Sequence, residues 1–246
     1  MSSSEQLLGR VRVVLTRPNH PGNIGSAARA MKVMGLHDLR LVAPTRYPAP
    51  EAQWMAVGAN DVLAQAQIHD SLAPALADCV HAFAMSARPR EWAPQVHTVR
   101  AAGELALAHA MNGPVAFVFG NEVAGLTNEE MFECQSLVHI PVNPEFSSLN
   151  LAQAVQVAAY ELRMAAGGVV PAARLEKPAT NQDREGLYDH LDQVGEASGF
   201  FDPKDPKRLR DRWRRLFSRV DLEREEVNIL RGLLRAITER LPAKDS

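Results

Sequence analysis

The sequence predicts an α/β fold built on a mostly parallel β-sheet with helices on both faces. Short apolar runs, such as VRVVL at Val11–Leu15 and VAFVF at Val115–Phe119, indicate strands that are buried on both sides. Helical patterns of about ten residues separate such runs, as in the segment Val99–Ala110, which is rich in Ala and Leu. Strands that alternate with helices in this way favour parallel pairing through crossover connections.

The first elements follow from the apolar runs and from the residues that end them. After the strand at Val11–Leu15, the segment Pro18–Asn23 is predicted to form a turn. A helix is expected over Ile24–Met34, with Gly35 as its C-cap, because glycine adopts the left-handed conformation that ends many helices. The next strand is predicted at Leu39–Val42.

The middle of the chain contains shorter elements. We expect a helix near Glu51–Val57, a short strand at Ile68, a helix capped by Ser71 and a strand at Cys79–Met85. The segment Ser86–Thr98 contains two prolines and is predicted to be a loop.

The stretch from His139 to Glu161 combines the end of an apolar strand, a polar turn and a long helix. Pro141 and Pro144 interrupt the strand, and either Ser147 or Ser148 is predicted to cap the helix. Such a joint is either an ordinary connection in an α/β core or a place where backbone amides hold a ligand.

A change in composition after Met164 predicts a second unit. The predicted units are a domain at residues 1–165, a linker at 166–181 and a helical extension at 182–246. Three helices with apolar faces are expected in the extension, at about Asp183–Ala197, Pro206–Ser218 and Leu222–Leu241.

Composition limits the classes of protein to consider. The chain has 246 residues and a formal net charge of −2, which by itself does not indicate a nucleic-acid binder. No apolar run approaches the roughly 20 residues of a membrane span, and the N-terminus lacks the pattern of a secretory signal. Cys79 and Cys134 stand beside apolar residues and are expected to be buried thiols. We therefore expect a cytoplasmic protein without membrane contact.

Three polar segments at strand ends are candidates for ligand contact. The tiny residues within Asn23–Arg29 allow close approach either of another helix or of a ligand. The segment Phe119–Thr127 has the glycine spacing of a phosphate-binding loop, but Leu126 replaces the lysine that such a loop needs. Arg88 and Arg90 follow a predicted strand, and they either hold phosphates or form a solvated basic loop.

Other catalytic classes find no support in the spacing of residues. The eight histidines include no pair four residues apart and no H-E-x-x-H motif, so no metal site is predicted. No G-x-S-x-G motif occurs either, which argues against a serine hydrolase of the α/β type.

The segment Lys204–Arg219 is strongly basic. It contains eight lysines and arginines, and its own acids are only Asp205 and Asp211. Trp213 and Phe217 occupy the apolar side of the predicted helix. The basic side either follows the phosphates of a nucleic acid or is simply a solvated face.

Three ordered motifs together resemble one family. N-x-G-x-x-A-R at Asn23–Arg29, F-G-x-E-x-x-G-L at Phe119–Leu126 and I-P…S-S-L-N…Y-E at Ile140–Glu161 are similar to the motifs of the SPOUT superfamily. Within it they resemble the TrmH-type RNA 2′-O-ribose methyltransferases. GLTNEE at Gly125–Glu130 and NILRG at Asn228–Gly232 are similar to the TrmJ-type group, which acts on tRNA.

The resemblance implies a SPOUT parallel sheet with a C-terminal trefoil knot, a homodimer and S-adenosylmethionine as cofactor. It implies methylation of the ribose of cytidine or uridine at position 32 of the tRNA anticodon loop. Arg29 is the implied catalytic residue, acting from the partner subunit either as a base assisted by an RNA phosphate or as a clamp on the ribose-phosphate. The implied cofactor-binding residues are Met85, Ser86, Ala87, Gly120, Ile140, Ser147, Ser148 and Leu149. The implied RNA-binding residues are Asn23, Arg88, Arg90, Asn150, Arg212 and Arg215.

Two alternatives stay open at this point. One is a SPOUT 2′-O-methyltransferase that acts on another tRNA position or on rRNA. The other is a non-catalytic protein that binds RNA through Lys204–Arg219.

Overall fold

The computed structural model describes residues 3–87, 95–167, 177–204 and 208–241. A seven-stranded sheet lies at its centre, in the order β3-β2-β1-β6-β4-β7-β5, and every neighbouring pair is parallel. The prediction of an α/β fold on a parallel sheet is therefore confirmed. The strands are β1 (Val11–Thr16), β2 (Asp38–Val42), β3 (Gln67–His69), β4 (His81–Met85), β5 (Gln95–Thr98), β6 (Val115–Phe119) and β7 (Ser136–His139).

Helices flank the sheet and form a separate bundle near the C-terminus. No helix in the described ranges has both the length and the apolarity needed to cross a membrane. The helices are α1 (Ser3–Leu8), α2 (Pro21–Met34), α3 (Pro50–Ala56), α4 (Asn60–Ala64), α5 (Leu72–Leu76), α6 (Val99–Ala110), α7 (Asn128–Phe132), α8 (Leu151–Ala165), α9 (Asn181–Ala197), α10 (Leu209–Phe217) and α11 (Arg224–Thr238).

Apolar clusters cover both faces of the sheet. Side chains that alternate along β6 point to opposite faces, so that Phe117 packs in one cluster and Val118 in the other. The larger cluster contains buried residues of α2, α6 and α8, and the smaller one contains buried residues of α5 and α7. Burial on both sides explains why β6 is apolar throughout.

Helix α2 begins three residues earlier than predicted. Pro21 is its first residue, and proline suits this position because the first helical amide has no partner within the helix. The predicted turn at Pro18–Asn23 is therefore wrong from Pro21 onward. The predicted C-cap is confirmed, since Gly35 has φ of 83° and ψ of 21°.

Strand β5 lies in the segment that was predicted to be a loop. It forms the edge of the sheet, and among the described strands it pairs only with β7. Gln95, Val96 and Thr98 are exposed, so the strand lacks the apolar run that marks buried strands. The prediction of a loop over Ser86–Thr98 is wrong for these four residues.

Helix α9 anchors the C-terminal helices to the domain that contains the sheet. The backbone N–H of Asn181 donates to the carbonyl of Cys79 at 2.9 Å, and Arg184 Nη1 donates to the carbonyl of Val80 at 3.0 Å. Gln135 Nε2 donates to Asn181 Oδ1 at 3.0 Å. Arg184 is only 2% exposed, so its charged group is part of the junction itself. The anchor lies at the amino ends of β4 and β7.

A polar cluster completes the junction. The rings of His81 and His109 stack with centroids 4.1 Å apart and an angle of 19° between their planes. His109 Nε2 lies 3.8 Å from Asp221 Oδ1, just before α11. The three side chains come close enough for a metal ion. However, lone pairs lie in the ring planes, so two stacked rings do not direct theirs to a common point.

Glu133 lies between α7 and the C-terminal helices and carries a strongly perturbed carboxyl group. Its Oε2 has no hydrogen-bond partner in the described part of the chain. Burial raises the pKa of Glu133 from 4.5 to about 7, although nearby Arg214 favours the charged form. The folded chain therefore keeps a proton that the unfolded chain has lost, and this group makes stability decrease as pH rises between those two values.

Glu133→Gln is expected to be more stable than the parent at alkaline pH. The gain is roughly 3 kcal/mol near pH 8 and nearly vanishes at pH 4.5, because one pKa unit corresponds to about 1.4 kcal/mol. Urea unfolding of both chains at several pH values measures this difference. If the difference in free energy of unfolding is the same at both ends of the range, the assignment of the raised pKa is wrong.

Candidate active site

A cavity of about 180 Å³ opens at the carboxyl ends of β4, β6 and β7. Met85, Phe119 and Val138, which lie at or near the ends of these strands, form its floor. The loop from Gly120 to Leu126 forms one wall, and residues between β7 and α8 form another. The carboxyl edge is where open parallel sheets bind ligands.

The cavity collects the residues that the family resemblance assigned to the cofactor. They come from three segments that are far apart in the chain, after β4, after β6 and before α8. All eight line this one cavity: Met85, Ser86, Ala87, Gly120, Ile140, Ser147, Ser148 and Leu149. Among the described residues that line it, Glu122 is the only charged one.

Two features hold the wall formed by Gly120–Leu126 in place: the close packing of Gly120 against the backbone of Gly125 and Leu126, and the hydrogen bonds of Asn121. A Cβ atom on Gly120 would lie 2.2 Å from both the carbonyl carbon of Gly125 and the backbone nitrogen of Leu126, so only glycine fits. Asn121 Oδ1 accepts from the backbone N–H of Val123 at 2.9 Å, and Asn121 Nδ2 donates to the carbonyl of Arg17 at 2.7 Å. The loop is thereby folded on itself and attached to the end of β1.

Glu122 connects this loop to the start of α2. Its carboxylate accepts from the backbone N–H groups of Asn19 and His20 at 2.8 and 3.1 Å, and from Asn23 Nδ2 at 2.9 Å. Burial alone would raise the pKa of Glu122, but these donors outweigh burial and lower it. Glu122 is therefore an anchor that holds this loop to the start of α2.

Asn150 extends the same network to α8. Its Nδ2 donates to Asn23 Oδ1 at 2.9 Å, and its Oδ1 accepts from the backbone N–H of Ala152 at 2.9 Å. Asn150 is thus the N-cap of α8, in a capping box with Gln153. The prediction that Ser147 or Ser148 caps this helix is wrong, because both lie before the cap, in the wall of the cavity.

Arg29 does not line the cavity of its own chain. It is exposed on α2, two helical turns beyond Asn23, and makes no hydrogen bond or ion pair with other described residues. On the same helix, a Cβ on Gly25 would lie 2.0 Å from the carbonyl oxygen of Ala52, so the small residues here serve packing against α3. Arg88 and Arg90 lie outside the described residues.

The basic helix α10 has fewer unpaired positive charges than its sequence suggested. Arg214 forms an ion pair with Glu185, and Arg210 forms ion pairs with Asp189 and Asp192, all three acids being on α9. The expectation that only Asp205 and Asp211 face the basic run is therefore wrong. Arg212 and Arg215, also on α10, each interact within the chain as well, so their contact with RNA stays a prediction.

Comparison with known proteins adds to this geometry. The sequence profile of the SpoU rRNA Methylase family matches residues 10–160, which contain the sheet and the whole described cavity. The chain belongs to the SpoU methylase family. A second profile, that of the C-terminal domain of the tRNA methyltransferase TrmJ, matches residues 182–246.

Individual SpoU-family relatives cover the chain to different extents. A tRNA (cytidine/uridine-2′-O-)-methyltransferase TrmJ from Klebsiella pneumoniae is 44% identical, over 97% of this chain and 100% of the relative. The crystal structure of TrmJ from Z. mobilis superposes with a TM-score of 0.82 at 37% identity, covering 92% of this chain and 98% of that chain. An rRNA methyltransferase from Sinorhizobium meliloti, solved with bound AdoMet, is 26% identical with a TM-score of 0.51, covering 63% and 56%.

Proposed function

We propose that the protein is an S-adenosylmethionine-dependent tRNA 2′-O-ribose methyltransferase that modifies cytidine or uridine at position 32 of the anticodon loop. The observation that carries the proposal is the cavity in which the second and third family motifs meet the end of β4. Asn23 of the first motif is joined to these two motifs by hydrogen bonds to Glu122 and Asn150. The similarity to a TrmJ protein along nearly the whole chain supports tRNA as the substrate. A cytoplasmic location is part of the proposal because a tRNA substrate is found there.

The cavity suits a nucleoside-containing cofactor. Its lining is small, apolar or neutral, apart from Glu122, whose carboxylate is already occupied by three donors. The missing side chain of Gly120 leaves room for the loop to bring backbone groups to the cavity. Adenine and the methionine part of the cofactor can bind through such groups without a charged partner. Met85, Ser86, Ala87, Gly120, Ile140, Ser147, Ser148 and Leu149 are the residues that would hold it.

S-adenosylmethionine held by these residues would supply an electrophilic methyl group on a sulfonium sulfur, for transfer to the ribose 2′-oxygen with loss of the hydroxyl proton. The protein must align the 2′-hydroxyl and remove its proton. Asn23 is hydrogen-bonded to both Glu122 and Asn150, and the two asparagines are placed to hold the ribose at the edge of the cavity. Arg29 either orients the ribose-phosphate or, with an RNA phosphate, assists loss of the proton. A free guanidinium is too basic to take a proton alone.

A homodimer explains why Arg29 lies outside its own cavity. Large apolar side chains are exposed on α2 and on α3 and α8, the two helices that pack against α2. They are Val33, Trp54, Met55, Tyr160 and Met164, each at least 47% exposed. Arg29 lies on one of these helices, and an exposed apolar patch of this kind is typical of an interface. Dimerisation through this patch carries Arg29 toward the partner's cavity.

The trefoil knot also belongs to the proposal. Strand β7 lies between β4 and β5, which follow each other in the sequence. A chain that enters a sheet between two consecutive strands has the order that a threaded knot needs.

Transfer of a labelled methyl group from S-adenosylmethionine to unmodified tRNA, with the modified nucleotide mapped, tests the function. Ribose methylation at position 32 is expected. Methylation at another tRNA position or of rRNA would keep the reaction and overturn the site. Tight binding of RNA without binding of S-adenosylmethionine would instead favour the non-catalytic alternative.

A further inference from the structure

Helix α9 divides the charges of the C-terminal bundle into two unequal sides. On the side toward α10, Glu185, Asp189 and Asp192 form ion pairs with Arg210 and Arg214. The positive charge of these two α10 arginines is therefore largely balanced within the protein.

Beyond the ion pair between Asp183 and Arg224, the described residues show no such balance on the side of α9 toward α11. Gly186 and His190 lie on this side, one turn apart. The guanidinium of Arg231, from α11, lies against α9 at Gly186. A Cβ atom added to Gly186 would be 3.2 Å from Arg231 Nη1. Arg235 follows one turn later on the same face of α11. Burial, followed by the charges of Arg231 and Arg235, lowers the pKa of His190, which indicates that the three side chains share one face.

The two arginines on this side remain available. Arg231 and Arg235 are exposed, and neither forms a hydrogen bond or an ion pair with other residues in the described ranges. The neighbouring Arg224 differs, because its Nε lies 3.1 Å from Asp183. Gln193 and Asn228 are exposed and lie at helical positions that place them near the same groove. Guanidinium and amide donors without acidic partners are the groups that contact nucleic-acid phosphates.

We propose that the groove between α9 and α11, with Arg231 and Arg235 at its centre, is the surface by which the C-terminal bundle holds the sugar-phosphate backbone of the RNA. This inference rests on the proposed function. It assigns the main phosphate contact to α11, whereas the richest run of basic residues lies on α10. The bundle is anchored at the amino ends of the strands and the cavity lies at their carboxyl ends. The surface therefore contributes to affinity and not to the chemical step.

The double variant Arg231→Gln, Arg235→Gln tests the proposal, with tRNA binding followed by fluorescence anisotropy over a range of salt concentrations. The dissociation constant is expected to rise at least about tenfold at low salt. The slope of log K against log[salt] is expected to fall by about 1.5, since each lost phosphate contact removes about 0.7–0.9. The single-turnover methylation rate at saturating tRNA and the affinity for S-adenosylmethionine are expected to stay unchanged.

A matched control removes an ion pair from the other side of α9. Arg210→Gln combined with Asp189→Asn leaves the net charge unchanged and is expected to keep the tRNA dissociation constant within about twofold. If the α11 double variant binds tRNA as tightly as the parent with the same salt slope, the proposed surface is wrong while the proposed function stands. If the parent binds S-adenosylmethionine but no tRNA, the proposed function fails and this surface fails with it.

Discussion

Replacing Arg29 with alanine is expected to lower the single-turnover rate of methyl transfer by a factor of 10² to 10⁴, the range for removing a group that assists proton transfer. Arg29 lies on the exposed side of α2 and makes no hydrogen bond or ion pair with the described residues, so its removal costs the fold little. It also does not line the cavity, so affinity for S-adenosylmethionine is expected to stay within about twofold of the parent. Rapid-quench kinetics with saturating cofactor and tRNA measures the rate.

Lys32→Ala is a suitable control for this variant. Lys32 is on the same helix and carries the same charge, but its ammonium group is held by Asp61 Oδ1 at 2.8 Å. Its loss is expected to leave the rate unchanged. Arg29→Lys separates charge from shape, because a lysine keeps the charge and loses the planar fork of donors. A rate for Arg29→Ala within twofold of the parent would rule out both roles proposed for this residue.

Mixing two inactive variants in heterodimers tests whether Arg29 acts on the cavity of its own subunit or on that of the partner subunit. Arg29→Ala has an intact cavity, and a Gly120 variant with a damaged cavity keeps Arg29. Heterodimers of the two contain one complete site only if Arg29 reaches the partner's cavity. Activity is then expected to return to about a quarter of the parent level when subunits mix at random. No activity in verified heterodimers would place Arg29 in its own subunit's site.

Gly120→Ala is expected to abolish most cofactor binding. The added methyl would lie 2.2 Å from backbone atoms of Gly125 and Leu126, which cannot rotate away as a side chain can. The loop must move, and with it the wall of the cavity. Stability is expected to fall by about 1–3 kcal/mol, as for other overpacked sites, and the dissociation constant for S-adenosylmethionine to rise at least about tenfold. Calorimetric titration and urea unfolding measure the two effects.

Gly232→Ala provides the matched control. Gly232 lies within α11, and a Cβ atom there would have open space around it. The same substitution is therefore expected to leave cofactor binding unchanged and to stabilise the helix by up to about 1 kcal/mol. Normal cofactor affinity in Gly120→Ala would show that the loop does not form the binding wall.

Elements with strong local signals were predictable from sequence. Helix α6 and strand β6 begin and end at the predicted residues, because an apolar run or a helical pattern meets clear breaks on both sides. Strand β5 was missed because it is an exposed edge strand, with polar residues typical of loops. The cap of α8 was placed too early because Ser147, Ser148 and Asn150 are all good N-caps, and the partner Gln153 favours Asn150.

The site depended on information that local patterns do not contain. Met85, Gly120 and Ile140 come together only because β4, β6 and β7 lie side by side, and the motifs of the family identified them where spacing could not. The charge of α10 was also misjudged, because the acids that pair with its arginines lie outside the basic run. Its partners on α9 are about twenty to thirty residues away, so a count of acids within the basic run overestimated its free charge.

The ribose 2′-hydroxyl at position 32 of a tRNA is the proposed acceptor of the methyl group. The most direct test compares an unmodified tRNA with the same tRNA carrying a single 2′-deoxynucleotide at that position, using labelled S-adenosylmethionine. Transfer is expected to the first and none to the second, although both should bind with similar affinity. Equal transfer to the two tRNAs would contradict the claim, because the methyl group would then be going to another atom.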